Sequence, residues 1–445
     1  MNKPTTYTLI SCAMLFATAF ATHEPLQTVV PDCSAAQCPL PQEDTISCIN
    51  IEADTIIFNG ADWSPLFQTI EQIQDTSLTE QKSISIIHLG DSHIQAGFFT
   101  EAMRRPLQKA WGNAGRGLIT PLKISKTNEP SDYRITTPGE WQFSRCIPGK
   151  FFSNLVGASG ILIEPVGEQI DLTFETMSRQ GEDLKFNKLR LFHADTENFP
   201  QLRVSDEPEG LTITPPYGGE TCYSWDTPVN KICLVGNNGQ TPADAAIYGA
   251  SLENGKSGII VHTIGNNSAT FDCYNRVDDY GKKLAALTPQ LVIISLGTNE
   301  SVATTIYPER LTKQIDLLIQ SIKKECPEAL FLLTTPADNK LRKTKTVTKM
   351  VGKRKKKKKR KQTVTYYVEN TNLALVAETI KEYGVKNNIA VWDWYTIAGG
   401  DGSCEKWIKE GGMRNDHIHY TAKGYSIQGN LLYKSLLNAY EQHIR

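Results

Sequence analysis

Three short stretches, far apart in the chain, hold the residue types that acyl transfer needs. Gly90-Asp91-Ser92-His93 sets a serine between an apolar run and the start of a helical pattern. A serine at a tight strand-to-helix turn exposes its hydroxyl at the carboxyl end of a sheet, where open α/β sheets hold their ligands. Free N–H groups at the helix start also favour a developing oxyanion. Taken alone, the tripeptide reads equally well as a capped helix N-terminus. Ser295-Leu296-Gly297-Thr298-Asn299-Glu300 follows a second apolar run; Gly297 permits close backbone approach and Asn299 offers an amide donor, although Asn also serves in turns. Asp416-His417-Ile418-His419 lies before a final helical pattern. A nucleophilic serine needs a base within hydrogen-bond reach, and that base needs an orienting carboxylate. Asp416 and His419 are three apart, so one turn can aim the carboxylate at one imidazole nitrogen and leave the other for the serine. His417 is the rival base and is expected to point away. A metal-binding His-x-His is the other reading, but no further ligand cluster accompanies it.

The elements that must position these residues alternate between strand and helix. Ser64 to Asp75 reads as a helix with Ser64 as N-cap and Pro65 at its first position. Ser83 to Leu89 reads as a strand and Phe98 to Trp111 as an amphipathic helix. From about 122 to 244 the pattern changes to short alternating runs broken by Gly, Pro, Asn and Asp, as in a β-sandwich. The alternation resumes with a strand at Ile259 to Ile264, helical character from Tyr274 to Leu287, and a buried parallel strand at Leu291 to Leu296. A helix at Leu311 to Lys324, a strand at Leu330 to Thr334, a helix at Asn372 to Tyr383, a strand at Ala390 to Trp394 and a closing helix at Tyr425 to His443 complete it. The expected fold class is α/β, with a β module inserted after the first βα unit.

Serine, asparagine, aspartate and histidine in this order, each at a strand end or before a helix, resemble the SGNH/GDSL hydrolases. Gly90 to Ser92 matches that family's first block, with His93 where other members carry Leu. Gly297-Thr298-Asn299 matches the third block, and Asp416 to His419 the fifth. The second block supplies a backbone N–H to the oxyanion hole; in His262 to Thr270 its position is either Gly265 or Ser268, the small residue before Ala269-Thr270. The resemblance implies a three-layer α/β/α sandwich with a parallel sheet and Ser92, Asp416 and His419 as the catalytic triad. It also implies Ser92, Asn299 and a second-block N–H as the oxyanion hole, Gly90, Asp91 and Gly297 in support, and no metal or organic cofactor. A closer resemblance is to the peptidoglycan O-acetylesterases. It runs over His88 to Arg104, Gly112 to Pro130, Tyr248 to Phe271 and Trp392 to Tyr425. That branch carries a carbohydrate-module-like β-sandwich between blocks one and two, and the 173 positions from Ser92 to Gly265 leave room for one.

The implied activity is removal of O-acetyl groups from a cell-wall glycan, most directly peptidoglycan, through an acetyl-enzyme. Competing readings are an esterase for another polysaccharide or sialic acid, a lipase, an O-acetyltransferase, and a noncatalytic envelope-binding protein. Domain limits follow: 1–21 a signal peptide, 22–60 a leader, 61–121 with 245–445 the hydrolase domain, 122–244 the inserted β-sandwich, and 340–365 a basic hairpin or loop.

Composition fits an exported globular chain: 445 residues, 40% hydrophobic and 9% aromatic. Lys3, the apolar run Leu9 to Ala21 and Ala19-Phe20-Ala21 have the form of a signal peptide, too short to span a bilayer, which takes about 20 apolar residues. No later segment reads as transmembrane. Cys12 after Leu9-Ile10-Ser11 also fits lipoprotein processing. The expected location is periplasmic or envelope-associated. Export favours disulfides, with Cys33, Cys38 and Cys48 close together and Cys222 with Cys233 a further pair. Lys340 to Lys361 holds 14 Lys or Arg and no acid, so the remaining 33 bases face 48 acids, a balance of −15. The run Lys353 to Lys361 is the densest part. Its flanks, Thr344 to Val351 and Thr363 to Val368, alternate like two strands of a hairpin. Beside a signal peptide and without a recognition motif the run does not read as a nucleic-acid element; attraction to an anionic envelope polymer is the expected role.

Overall fold

The computed structural model describes residues 46–444 apart from 76–80, 179–180 and 352–357. The expectations for the signal peptide, Cys12, Cys33, Cys38 and the tip of the basic run lie outside the described residues. Residues 46–60, grouped above with the leader, pack into the fold: Ile46 is buried and Ile56–Ile57 pairs antiparallel with Ala390–Trp392.

The sheet that carries the site has six strands, in the order Ile56–Ile57, Ala390–Trp392, Leu330–Thr334, Leu291–Ser295, Ser83–Gly90, Gly258–Gly265. All but the first run parallel. Ser83–Gly90 and Leu291–Ser295 are buried almost along their whole length, which explains their unbroken Ile, Leu and Val runs. Alternate residues serve opposite faces. Ile84, Ile86 and Leu291 meet Trp63, Leu66, Trp111 and Leu436 from one helix layer. Ile87, Leu89, Val292 and Ile294 share a core with Tyr274, Leu284, Ile315, Ile319 and Val376 of the other. The first layer is built from helices Ser64–Gln74, Phe98–Trp111 and Ala422–His443, the second from Phe271–Asn275, Tyr280–Ala285, Pro308–Glu325 and Leu373–Asn387.

The parallel register sets Gly265 opposite Gly90, Gly90 opposite Ser295, Ser295 opposite Thr334 and Thr334 opposite Trp392. The strands thus finish in one row, and the loops after them leave from a single edge. That edge is where an open parallel sheet assembles a ligand site.

Between the first and second parallel strands the chain builds two antiparallel sheets. The seven-stranded one includes Phe186–His193 and Glu220–Val229; the four-stranded one includes Gln169–Thr176 and Lys231–Asn237. Leu172, Phe174 and Leu234 from the second share a core with Leu189, Leu191, Tyr223 and Trp225 from the first. Gly115–Ile119 and Ile247–Glu253, both outside 122–244, also join the seven-stranded sheet. Buried charges tie this module to the hydrolase helices: Arg104 of Phe98–Trp111 pairs with Asp132 and Glu182, and Arg116 also pairs with Asp132.

Several expectations are corrected. The helix foreseen from Tyr274 to Leu287 is broken into Phe271–Asn275 and Tyr280–Ala285. The module draws the chain aside there: Asp278 N–H donates to Asn154 O at 2.9 Å, Asn154 Nδ2 donates to the Asp278 carboxylate at 2.7 Å, and Asp279 turns left-handed at φ +49°. Ser64 is the first helical residue instead of the cap; its N–H donates to Asp62 Oδ1 at 2.9 Å. Cys222 and Cys233 do not pair. They lie on different sheets, opposite Arg190 and Thr173, and both are free thiols. The basic segment is a hairpin, as its alternation implies, with Lys340–Val351 and Lys358–Glu369 paired in continuous register.

Candidate active site

Ser92 opens the short helix Ser92–Gln95, two residues beyond the row of strand ends. Gly90 makes the turn feasible, because a Cβ there would lie 2.3 Å from Ile94 Cγ1 and 2.6 Å from Ser295 O. Ser92 Oγ is 2.9 Å from His419 Nε2, and His419 Nδ1 is 3.0 Å from Asp416 Oδ2. Asp416 Oδ1 accepts the N–H of Ile418 at 3.0 Å and of His419 at 2.9 Å, so the carboxylate closes the turn that carries the imidazole. Partial burial pushes the Asp416 carboxyl up, but the hydrogen bonds from the His419 ring and the two backbone N–H groups outweigh it and hold it well below the usual carboxylate range. An ionised Asp416 keeps the proton of the neutral ring on Nδ1 and leaves Nε2 free to accept from the serine.

His417 turns the other way at φ +63°. Its ring lies on Tyr367 with centroids 3.9 Å apart, and its nitrogens face Asn415 O at 3.0 Å and Glu405 at 3.6 Å. Among the described residues no group of three or more His, Cys, Asp or Glu is arranged to hold a metal ion.

Asn299 reaches the same edge from the loop after Leu291–Ser295, where Gly297 takes φ +120°. Its amide donates to Ala269 O at 2.9 Å and, over a longer 3.2 Å, to Asp91 Oδ2. Asp91 Oδ1 accepts the N–H of His93 at 2.9 Å. Burial pushes the Asp91 carboxyl up to about 7 in spite of the donors around it. Glu300 is likewise raised to about 7 by burial, and it accepts the N–H of Phe271 at 2.8 Å.

The two second-block candidates differ in geometry. Gly265 ends its strand under the helix Ser92–Gln95, and a Cβ there would sit 2.2 Å from Gln95 N. It is a packing glycine. Ser268 lies exposed at the tip of a turn closed by Ala269 N–H to Asn266 O at 3.0 Å, with φ +69°. That left-handed backbone is one that glycine adopts most readily. The N–H groups of Ser92 and Ser268 meet no acceptor among the described residues.

Sequence reasoning missed three supports. Gln95 Oε1 accepts the N–H of Asn267 at 2.7 Å while its amide donates to Thr127 and Asn128, so the helix that opens with Ser92 holds the 266–269 turn in place. Tyr425 Oη lies 3.0 Å from His93 Nδ1, and the His93 ring stands 5.4 Å from that of His419. Burial lowers His93 to about 3, so an uncharged ring stands beside the candidate base. His93 was visible within its motif; Gln95 and Tyr425 carried no signal, because their partners lie 172 and 332 positions away.

Residues 234–432 match the family model described as GDSL-like lipase/acylhydrolase. The match begins beyond most of the inserted module and contains Asn299, Asp416 and His419 but not Ser92. With the α/β fold and the serine–histidine–aspartate geometry, the match gives the class: residues 234–432 carry a domain of the GDSL-like lipase/acylhydrolase type, an ester hydrolase. Among solved structures the chain is similar to a peptidoglycan O-acetylesterase, with a TM-score of 0.68 and 21% identity over 87% of this chain and 99% of that one. A lipase/acylhydrolase from Enterococcus faecalis aligns over 41% of this chain and 77% of its own, at 17% identity and a TM-score of 0.28. The periplasmic domain of a lipopolysaccharide acetyltransferase from Salmonella ser. Paratyphi A aligns over 41% and 73%, at 12% identity and 0.27. No curated protein of similar sequence was found.

Proposed function

We propose that this chain is an exported serine esterase that removes O-acetyl groups from peptidoglycan through an acetyl-enzyme. The observation that carries the reading is the relay from Ser92 Oγ to His419 Nε2 at 2.9 Å and from His419 Nδ1 to Asp416 at 3.0 Å. Ser92 Oγ attacks the acetyl carbonyl while His419 Nε2 takes its proton; Asp416 keeps the imidazole tautomer and stabilises the imidazolium. The oxyanion is met by the Ser92 N–H, the Ser268 N–H and the Asn299 amide, each worth about 2.7–4 kcal/mol of barrier. The bond from Asn299 to Asp91 is the longer of its two and is the one an oxyanion would replace. His419 then protonates the departing sugar oxygen, which leaves as the hydroxyl, and water, activated by the same imidazole, releases acetate.

The glycan assignment rests on two supports. A neighbour whose fold covers 87% of this chain is a peptidoglycan O-acetylesterase. A cleft of about 330 Å³ beside Asn299 presents Asp272, Arg310, Gln314 and an exposed Tyr307. Aromatic faces combined with charged donors and acceptors suit a sugar ring. Export rests on Lys3, the apolar run and Ala19-Phe20-Ala21; no helix of the described residues is long and apolar enough to cross a membrane. We assign 61–121 with 245–445 to the hydrolase, apart from the strands Gly115–Ile119 and Ile247–Glu253 that complete the module's sheet, and 122–244 to a carbohydrate-module-like insertion. The test of the chemistry is hydrolysis of a small activated acetate ester by the mature chain and by Ser92→Ala. A loss of at least about 10³ in kcat is expected, whereas equal rates in both would remove Ser92 as nucleophile.

A further inference from the structure

The strands Lys340–Val351 and Lys358–Glu369 pair only with each other among the described residues, and the first begins six residues after Leu330–Thr334 ends at the edge where Ser92 lies. Each strand has twelve residues, a ribbon about 37 Å long at the usual rise. Two-stranded ribbons are marginal in water, and this one sets like charges directly opposite each other: Lys349 faces Arg360. Such pairs cost stability. Charged side chains, Lys above all, protect an exposed edge, but residues 340–361 carry 14 Lys or Arg. On one face of the ribbon Lys343, Lys345, Lys349 and Arg360 are exposed, with Lys345 Nζ 5.3 Å from the ring centre of Tyr366. The opposite face alternates exposed Thr344, Thr346, Thr363 and Thr365 with Arg342 and Lys361. None of these cations meets a carboxylate among the described residues.

The root is fastened to the turn that holds His419. Lys340 N–H donates to His417 O at 3.1 Å, and Tyr367 stacks on the His417 ring. Lys340 Nζ bridges Glu369 at 2.9 Å and Glu405 at 2.6 Å.

We propose that this hairpin is a docking arm for the anionic glycan that bears the ester, and that its root delivers the polymer to Ser92. The proposal rests on the esterase reading. The occupant follows from the charge pattern. A body of net charge −15 outside residues 340–361 would repel a carboxylate- or phosphate-bearing polymer, and the arm is the element that reverses the sign. Cations on both faces suit a chain that wraps the ribbon; a membrane would engage one face, and because Leu341, Val347, Val364 and Tyr366 share the face of Lys343 and Lys345, the vesicle arm of the test separates the two. Threonine hydroxyls between the cations add donors and acceptors of the kind sugars use.

The test replaces Lys343, Lys345, Lys349 and Arg360 together by Thr, which keeps strand propensity and removes the like-charge pair. Binding is read by co-sedimentation with purified peptidoglycan sacculi in a Ser92→Ala background, and turnover on O-acetylated sacculi and on a small acetate ester with Ser92 intact. Expected are an unchanged kcat/KM on the small ester, a KM at least about tenfold higher on sacculi, and wild-type binding that weakens about tenfold between 50 and 200 mM salt, as for a few ionic contacts to a polyanion. The variant's binding should be weak at both. Equal binding and equal salt dependence in variant and wild type would overturn the proposal. So would binding to phosphatidylglycerol vesicles without binding to sacculi, or a salt-sensitive dimer of the chain that accounts for the pelleted protein. If the wild type hydrolyses no ester yet loses sacculus binding through the four substitutions, the arm stands and the esterase reading falls.

Discussion

Replacing Asp416 by Asn changes one atom and probes the relay at its far end. In the native turn Oδ1 accepts two backbone N–H groups, from Ile418 at 3.0 Å and His419 at 2.9 Å, while Oδ2 faces His419 Nδ1 at 3.0 Å. An asparagine has one oxygen and one NH2. Two fixed donors outvote one ring nitrogen, so the oxygen stays on the backbone and the NH2 points at Nδ1. The ring must then accept at Nδ1 and carry its proton on Nε2, which faces Ser92 with a donor where an acceptor is needed. In a buried triad this tautomer reversal lowers kcat by about 10⁴. Here the Asp416 side chain is 45% exposed and that of His419 33%, so water can partly restore the useful tautomer. The expected loss is between about 10² and 10⁴, or roughly 2.7–5.5 kcal/mol of barrier. Because the backbone bonds survive, Tm should change little and KM for a small acetate ester should stay near the native value. Stopped or continuous acetate-ester assays on the purified variant, with a thermal melt alongside, measure both. A variant within tenfold of wild type, with an unchanged melt, would refute the claim that Asp416 orients the base.

Asn299→Ala should lower kcat by about 10²–10³ with little change in KM; an unchanged rate would take Asn299 out of the oxyanion hole. Ser268→Gly suits the left-handed backbone at φ +69° and should keep kcat within a few-fold, whereas Gly265→Ala forces a Cβ to 2.2 Å from Gln95 N and should cut activity and Tm together; the reverse pattern would exchange the two assignments. His88 is buried and bonded to Thr100 and Ser295, each at 2.9 Å, and burial lowers its pKa to about 3. Its folded value lies below the unfolded 6.5, so the neutral imidazole stabilises the fold fully above 6.5 and progressively less as pH falls toward 3. His88→Gln should therefore be destabilised at pH 7, with the gap to wild type narrowing by about 1.4 kcal/mol per pH unit below 6.5; melts from pH 7 to 4.5 that keep a constant gap would contradict the burial argument.

The side chains that make up the candidate site were legible in the sequence as positions. A run such as Leu291 to Leu296 declares a strand covered on both faces, and the polar motif after it must then lie at the sheet's edge. Ser92, Asn299, Asp416 and His419 could be placed in this way, and the geometry brings all four to one row of loops. Work done by backbone was not legible. The sequence presented Gly265 and Ser268 as equals, and only φ and the space around each separate a packing glycine from a free N–H. Long-range hydrogen bonds explain other gaps. Asn154 breaks the helix near Asp278 from 124 positions away, and Gln95 holds Asn267 across the whole inserted module. The expected pairing of Cys222 with Cys233 used spacing alone, yet adjacent strands of a sandwich can belong to different sheets, as these do. The hairpin was visible as alternation, but the stacking of Tyr367 on His417, which joins it to the turn that carries His419, was not.

Acetate release from O-acetylated peptidoglycan by the purified mature chain and its Ser92→Ala variant, with acetylated xylan in parallel, probes chemistry and substrate together. Release from peptidoglycan by the wild type, lost on Ser92→Ala and weaker on xylan, is the expected result. Release from xylan alone would keep the Ser92 relay and reject the substrate, and release from peptidoglycan that survives Ser92→Ala would contradict the mechanism itself.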